Sequence, residues 1–163
     1  SPGLMDCDGG RDCVRMPATL LLHSATEHAC VREGHRFPAA AVEAVPVDAN
    51  GLVDLAWLDE RLARFVAENP GARAFVSIHL ANNETGVIQP IEQIVEVVKN
   101  AGGVLILDAV QAAGRIPLDM SKPCADYLIL SSHKIGGPKG VGAIVAAADL
   151  MMPRPLVSGG GHE

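Results

Sequence analysis

Two short apolar runs of the chain end in residues able to do chemistry. Val104 to Leu107 leads into Asp108, with Gln111 three residues further on. Tyr127 to Leu130 leads into Ser131, Ser132, His133 and Lys134, and a glycine-rich turn from Gly136 to Gly142 returns to another apolar run. A carboxylate after VLIL is costly to bury unless something pairs with it. Asp108 is therefore a helix cap or ion-pair member, or else a fixed anion waiting for a cationic or protonated partner. Gln111 could present its amide beside that group if the chain turns after the strand. Lys134 would be a nucleophile or base if partly withdrawn from water, and a solvated loop charge otherwise. Ser131 and His133 could donate to a phosphate, as could backbone amides near Gly136 and Gly137. IGGPKG lacks the GxxxxGK[ST] pattern, so an ATPase reading has weak support.

Two earlier segments offer further candidates. His28 follows the apolar run ATLLLHSA and stands where a strand gives way to a helix or turn. Its ring either faces a ligand or is partly buried and bonded to backbone. Asn82 and Asn83 follow a third run, Ala74 to Leu80, and precede Gly86. Adjacent amides there make an Asx turn, or aim one carboxamide into a pocket.

The elements that must position these groups follow from pattern. Val42 to Val47 reads as a valine-rich strand. Asp54 is placed to cap a helix from Leu55 to Glu68, with Leu55, Leu58, Leu62, Phe65 and Val66 on one stripe. Asn69-Pro70-Gly71 stops it. Pro90 suits the first turn of a helix reaching Lys99, with Ile91, Ile94, Val95 and Val98 inward. Asn100 to Gly103 ends that helix. Strands alternating with helices predict an α/β fold. Residues 1–17, rich in Gly and Asp, read as an irregular segment ahead of one domain over 18–163.

Composition narrows the partners. The chain has 163 residues and a net charge of -6, with no run of basic residues. That argues against nucleic acid or an anionic membrane as partner. No apolar stretch is long enough to span a bilayer, and no secretory signal is visible at the start. Cys7, Cys13, Cys30 and Cys124 form no CxxC pair and match no zinc spacing, so no metal site is expected. Reduced thiols and a cytoplasmic location are the expectation, with Cys30 and Cys124 as small buried side chains.

The strings TEH, VSIHLANNETGVIQPI, LDAVQAAGRIPLD and ADYLILSSHKIGGPKGVGAI, in this order and spacing, resemble the cysteine desulfurases. These belong to the class V aminotransferase group of pyridoxal 5'-phosphate (PLP) enzymes. The resemblance covers about Ala18 to Glu163. It implies a PLP-dependent transferase fold type I large domain, a three-layer arrangement around a mostly parallel sheet, truncated at both ends. It implies that Lys134 bonds covalently to PLP and moves the substrate proton. It places Asp108 at the pyridine nitrogen, Gln111 at the ring hydroxyl and His28 over the ring face. Ser131 and His133 would bind the phosphate, and Asn83 would lie near the ring oxygen and the substrate carboxylate.

The implied reaction converts L-cysteine, or a related amino acid, to L-alanine and leaves the sulfur on an enzyme cysteine as a persulfide. A sulfur-acceptor protein and a homodimer, with each phosphate site completed by the partner, are implied as well. The sequence departs from the family pattern at both flanks. The usual phosphate loop ahead of Ala18 is not recognisable in LMDCDGGRDCVRMP. No cysteine matches the persulfide position, and the family's arginine for the substrate carboxylate is expected in a segment outside this sequence. The alternatives are a non-catalytic remnant or structural unit, and another class V enzyme such as a selenocysteine lyase. Exposed apolar surface is expected where further segments or a second copy would pack.

Overall fold

A computed structural model of the chain describes residues 18–119 and 125–148. The expectations for residues 1–17, and for the thiols of Cys7, Cys13 and Cys124, lie outside the described residues. Six strands form one sheet: β1 (Ala18–Ser24), β2 (Val42–Val45), β3 (Arg73–His79), β4 (Val104–Asp108), β5 (Tyr127–Ser131) and β6 (Gly142–Ala146). Their order is β2-β1-β3-β4-β5-β6. Every neighbouring pair is parallel except β5 and β6. The helices are α1 (Ala29–Arg32), α2 (Leu55–Glu68) and α3 (Ile91–Asn100).

Helix α2 has the predicted limits. The Asp54 carboxylate accepts the Trp57 N–H at 3.0 Å, which satisfies an otherwise orphaned donor of the first turn. Gly71, with φ of 82°, turns the chain from the end of α2 toward β3. Leu58, Leu62 and Phe65 are buried, but Val66 is 40% exposed. Val66 lies at the margin of the stripe. In α3, Ile94, Val95 and Val98 face inward.

Both helices cover one face of the sheet. There they meet Leu20, Leu22, Val76, Ile78, Leu105, Leu107 and Leu128. Each such fully buried Leu or Ile stabilises the fold by roughly 1.5–3 kcal/mol. The opposite face carries a smaller group, Leu21, Phe75, Val104 and Tyr127, with Phe37 against it. Near-continuous apolar strands are what a parallel sheet buried on both faces requires.

The β2 strand is shorter than the predicted run. Val47 leaves the sheet and bridges Val53 instead, shaping the turn into α2. Asp126 fixes the start of β5 beside β4. Its Oδ2 accepts the Leu105 N–H at 2.7 Å, and its other oxygen pairs with Lys99. Strand order reverses around β1, with β2 on one side and β3 on the other. Such a reversal opens a crevice beyond the carboxyl ends of the strands, where α/β sheets bind ligands. No helix among the described residues is long and apolar enough to cross a membrane.

Candidate active site

Asp108 is the last residue of β4 and is 7% exposed. The strand alternates, with Leu105 and Leu107 toward the helices and Val104 and Ile106 away from them. Asp108 continues the second set. Its Oδ1 accepts the Val110 N–H at 2.8 Å, which closes the turn after the strand. Its Oδ2 accepts no hydrogen bond from the described residues. Burial pushes the Asp108 carboxyl above the usual carboxylate range. The Val110 bond opposes that, the Glu27 charge adds to it, and His79 and His28 lower it. A partly desolvated carboxylate with an uncommitted oxygen suits a cationic partner.

The turn that follows holds Gln111, half-buried, and a single side chain ties it to the lysine segment. Arg115 donates through Nη1 to the Gln111 carbonyl and through Nη2 to the Lys134 carbonyl, each at 3.1 Å. Arg115 did not stand out in the sequence, because its partners are backbone atoms of two separate segments.

Ser131 ends β5, and Ser132–Lys134 form one 3-10 turn. Ser131 Oγ and His133 Nδ1 are 3.0 Å apart. Lys134 and His133 are exposed. The Gly137 N–H is engaged with the Ser132 carbonyl at 2.9 Å, so this amide is not free for a phosphate. A Cβ on Gly137 would lie 2.0 Å from Ser132 Oγ, which explains glycine there. Gly136 takes a φ of 87°, a conformation that disfavours side chains.

His28 stands at the N-cap of α1, where its Nδ1 accepts the Cys30 N–H at 3.2 Å. The ring is exposed rather than partly buried. Cys30 is exposed too, which corrects the expectation of a buried thiol. Its four-residue helix packs too little around it. The two asparagines divide the roles expected for them. Asn82 makes the turn, its Oδ1 accepting the Glu84 and Thr85 N–H groups at 2.9 Å. Its Nδ2 donates to the Thr26 carbonyl at 3.1 Å and so ties the ends of β1 and β3 together. Asn83 is left exposed beside it.

Three buried polar residues went unnoticed in the sequence: Glu27, His79 and Gln89. Glu27 Oε2 accepts the His79 backbone N–H at 2.7 Å and lies 2.9 Å from His79 Nδ1. His79 is the register partner of Asp108 across β3 and β4. A histidine closing an apolar run and a glutamate between Thr26 and His28 were the available signals. Their pairing spans 52 residues, which no local pattern reports.

The donor set fits PLP. A buried carboxylate suits a protonated pyridine nitrogen, a primary amine suits covalent attachment, and Ser131 with His133 suits a phosphate. All come from the carboxyl ends of strands in one sheet.

Comparison with known proteins points the same way. The aminotransferase class-V family model matches residues 17–163. The mitochondrial cysteine desulfurase of Drosophila melanogaster is 37% identical over 147 residues, covering 88% of this chain and 30% of that protein. A cysteine desulfurase of Nostoc is 43% identical over 117 residues, covering 72% of this chain and 27% of that one. Among solved structures, a NifS-like protein from Rickettsia africae superposes with a TM-score of 0.76 at 34% identity. That match covers 88% of this chain and 38% of the other. The chain thus spans about a third of the length of the curated relatives it matches. With its mostly parallel sheet and these matches in agreement, the chain belongs to the aminotransferase class-V family, PLP-dependent enzymes that include the cysteine desulfurases.

Proposed function

We propose that this chain forms the cofactor-binding part of a cysteine desulfurase acting on L-cysteine. The observation that carries this reading is Asp108. It is a buried carboxylate with one uncommitted oxygen, at the end of a strand beside the one that delivers Lys134. When bound, PLP supplies an electron sink for bonds at the substrate α-carbon.

The residues would divide the work as follows. Asp108 holds the proton on the pyridine nitrogen. Lys134 Nζ would hold the cofactor and would carry the α-proton. Its carbonyl is fixed by Arg115, so the 3-10 turn presents the side chain from a set position. Ser131 and His133, already 3.0 Å apart, form a ready pair for phosphate oxygens. His28 would face the ring and limit water there. Gln111 would donate to the ring hydroxyl, and Asn83 would serve the ring oxygen and the substrate carboxylate.

The sulfur of cysteine would leave for an enzyme thiolate, giving a persulfide and L-alanine. Cys30 is a poor choice for that thiolate. Although exposed, the thiol is partly desolvated, and that, with the charges of Asp108 and Glu27, raises its pKa; only the thiolate attacks sulfur. In this reading the sulfur goes to a cysteine other than Cys30. A homodimer and a sulfur-acceptor protein complete the proposal.

One experiment tests it. PLP added to the chain should give an absorption band at about 400–430 nm, the range of lysine-bound cofactor. Lys134→Ala should abolish that band. A chain that gives no band is instead a non-binding structural unit, the reading favoured by the exposure of Lys134 and His28.

A further inference from the structure

Behind Asp108 lies a buried polar chain with no part in holding PLP. It begins at Gln89, which is 3% exposed. Gln89 Oε1 accepts the Val53 N–H at 2.9 Å, and Gln89 Nε2 donates to the Gly51 carbonyl at 2.8 Å. These two backbone partners settle which end of the amide is oxygen. A backbone N–H needs an acceptor and a carbonyl needs a donor. The second hydrogen on Nε2 is left to face His79 Nε2, at 3.5 Å.

His79 Nε2 is then an acceptor, so the ring carries its proton on Nδ1. That nitrogen lies 2.9 Å from Glu27 Oε2. The same oxygen accepts the His79 backbone N–H at 2.7 Å. The Glu27 side chain is 0% exposed, and its Oε1 has no hydrogen-bond partner. The chain of bonds therefore runs one way, from Gln89 through His79 to Glu27. It ends on a carboxyl group beside the residue that pairs with Asp108 across the sheet.

We propose that Gln89, His79 and Glu27 are positioning residues for Asp108. The amide selects the imidazole tautomer, the imidazole holds Glu27, and Glu27 sets the electrostatic environment in which Asp108 keeps a proton on its partner. A carboxylate held near Asp108 disfavours a lone charge on it and favours a cation against it. This rests on the reading of Asp108 as the partner of the pyridine nitrogen. The titratable groups that act on Asp108 come from two elements. Glu27 and His28 come from the segment after β1, and His79 comes from β3; Cys30, also after β1, is itself raised by the Asp108 charge. On β5 its register partner is Ile129, which has no charge.

Two measurements separate this proposal from the cofactor reading itself. The first is nitrogen-15 NMR of the histidine rings in the ligand-free chain near neutral pH, with His79 assigned by its loss in His79→Phe. The proposal expects the Nδ1–H tautomer. It also expects Gln89→Glu, which turns the donor facing Nε2 into an acceptor, to bring a proton onto Nε2. An Nε2–H ring in the unaltered chain, or an unchanged ring in Gln89→Glu, would overturn it. The second uses PLP labelled at the pyridine nitrogen. In Glu27→Gln that nitrogen should lose its proton at lower pH than in the unaltered chain. Titration at the same pH in both would overturn the role given to Glu27. If the unaltered chain binds no PLP, the cofactor reading fails and the positioning role fails with it. The ring tautomer would still report whether the bond order from Gln89 to Glu27 is right.

Discussion

His79 and Asp108 end adjacent strands as Cα partners of one parallel register, and strand alternation sends both side chains to the same side of the sheet. Paired strands lie about 4.8 Å apart, so the imidazole and the carboxylate are neighbours by backbone geometry alone. Both are buried, at 5% and 7% exposure. A fold that gains its stability from apolar strands thus carries ionisable groups within its sheet. Such a placement costs stability and is retained where it serves a site.

The cost at Asp108 has a measurable sign. Its folded-state pKa is raised, chiefly by burial. Its contribution to stability is therefore complete below the ordinary aspartate pKa and is lost as pH rises through the raised value. Asp108→Asn keeps an oxygen for the Val110 N–H and removes the charge. The ligand-free variant should be more stable than the unaltered chain at neutral pH. That advantage should fade as pH falls toward the ordinary carboxylate range. Thermal melts across pH check it, and an advantage that grows toward acid would contradict it. The same variant should bind PLP more weakly.

Arg115 should separate local order from global stability. It is exposed and bonds two carbonyls, of Gln111 and Lys134. Arg115→Ala should change unfolding free energy by no more than about 1 kcal/mol, as for other exposed hydrogen bonds. Its PLP dissociation constant should rise by about tenfold, the equivalent of 1.4 kcal/mol. Arg115→Lys should behave like the alanine variant, because an ammonium lacks the planar fork that spans two acceptors. Titration of PLP by absorbance, beside urea unfolding, measures both quantities.

Gly137 tests the turn after Lys134. A Cβ there meets Ser132 Oγ at 2.0 Å and the Ser132 carbonyl oxygen at 3.3 Å. Gly137→Ala should cost about 1–3 kcal/mol, in the range of overpacked sites. Adding Ser132→Ala removes the closest atom and should recover part of the loss. A double-mutant cycle with additive costs would show that the two positions do not press on each other.

Ile135, just after the 3-10 turn, and Val141, Ile144 and Val145 of the glycine turn and the outer strand β6 are exposed. Their exposure agrees with the surface expected where other segments or a second copy pack. Edge strands of this kind associate unless charged or covered. Ile144→Lys should lower self-association in sedimentation and leave the melting temperature within a few degrees. Equal association of both forms would place the contact elsewhere.

Much of this was legible in the sequence where the cause is local. Asp54, the stripe Leu58, Leu62 and Phe65, and Asn69-Pro70-Gly71 set the limits of α2 because caps and periodicity act within a few residues. Asp108, Ser131, His133 and Lys134 stand out because they break apolar runs; Asp108 and Ser131 end strands β4 and β5, and His133 and Lys134 lie in the 3-10 turn that follows β5. The end of β2 was misjudged because Val47 has an equally apolar alternative in its bridge to Val53. Glu27, His79, Gln89 and Arg115 escaped notice for a different reason. Their partners lie 52, 10 and 19 residues away, and a hydrogen bond across that separation leaves no periodic trace.

The central claim is that Lys134 is the point at which this chain holds PLP. Borohydride reduction of the chain with PLP, followed by digestion and mass spectrometry, tests it most directly. The account predicts a reduced pyridoxyl phosphate adduct on the peptide containing Lys134, and none in Lys134→Ala. An adduct spread over other lysines, or one that survives Lys134→Ala at equal yield, would contradict it.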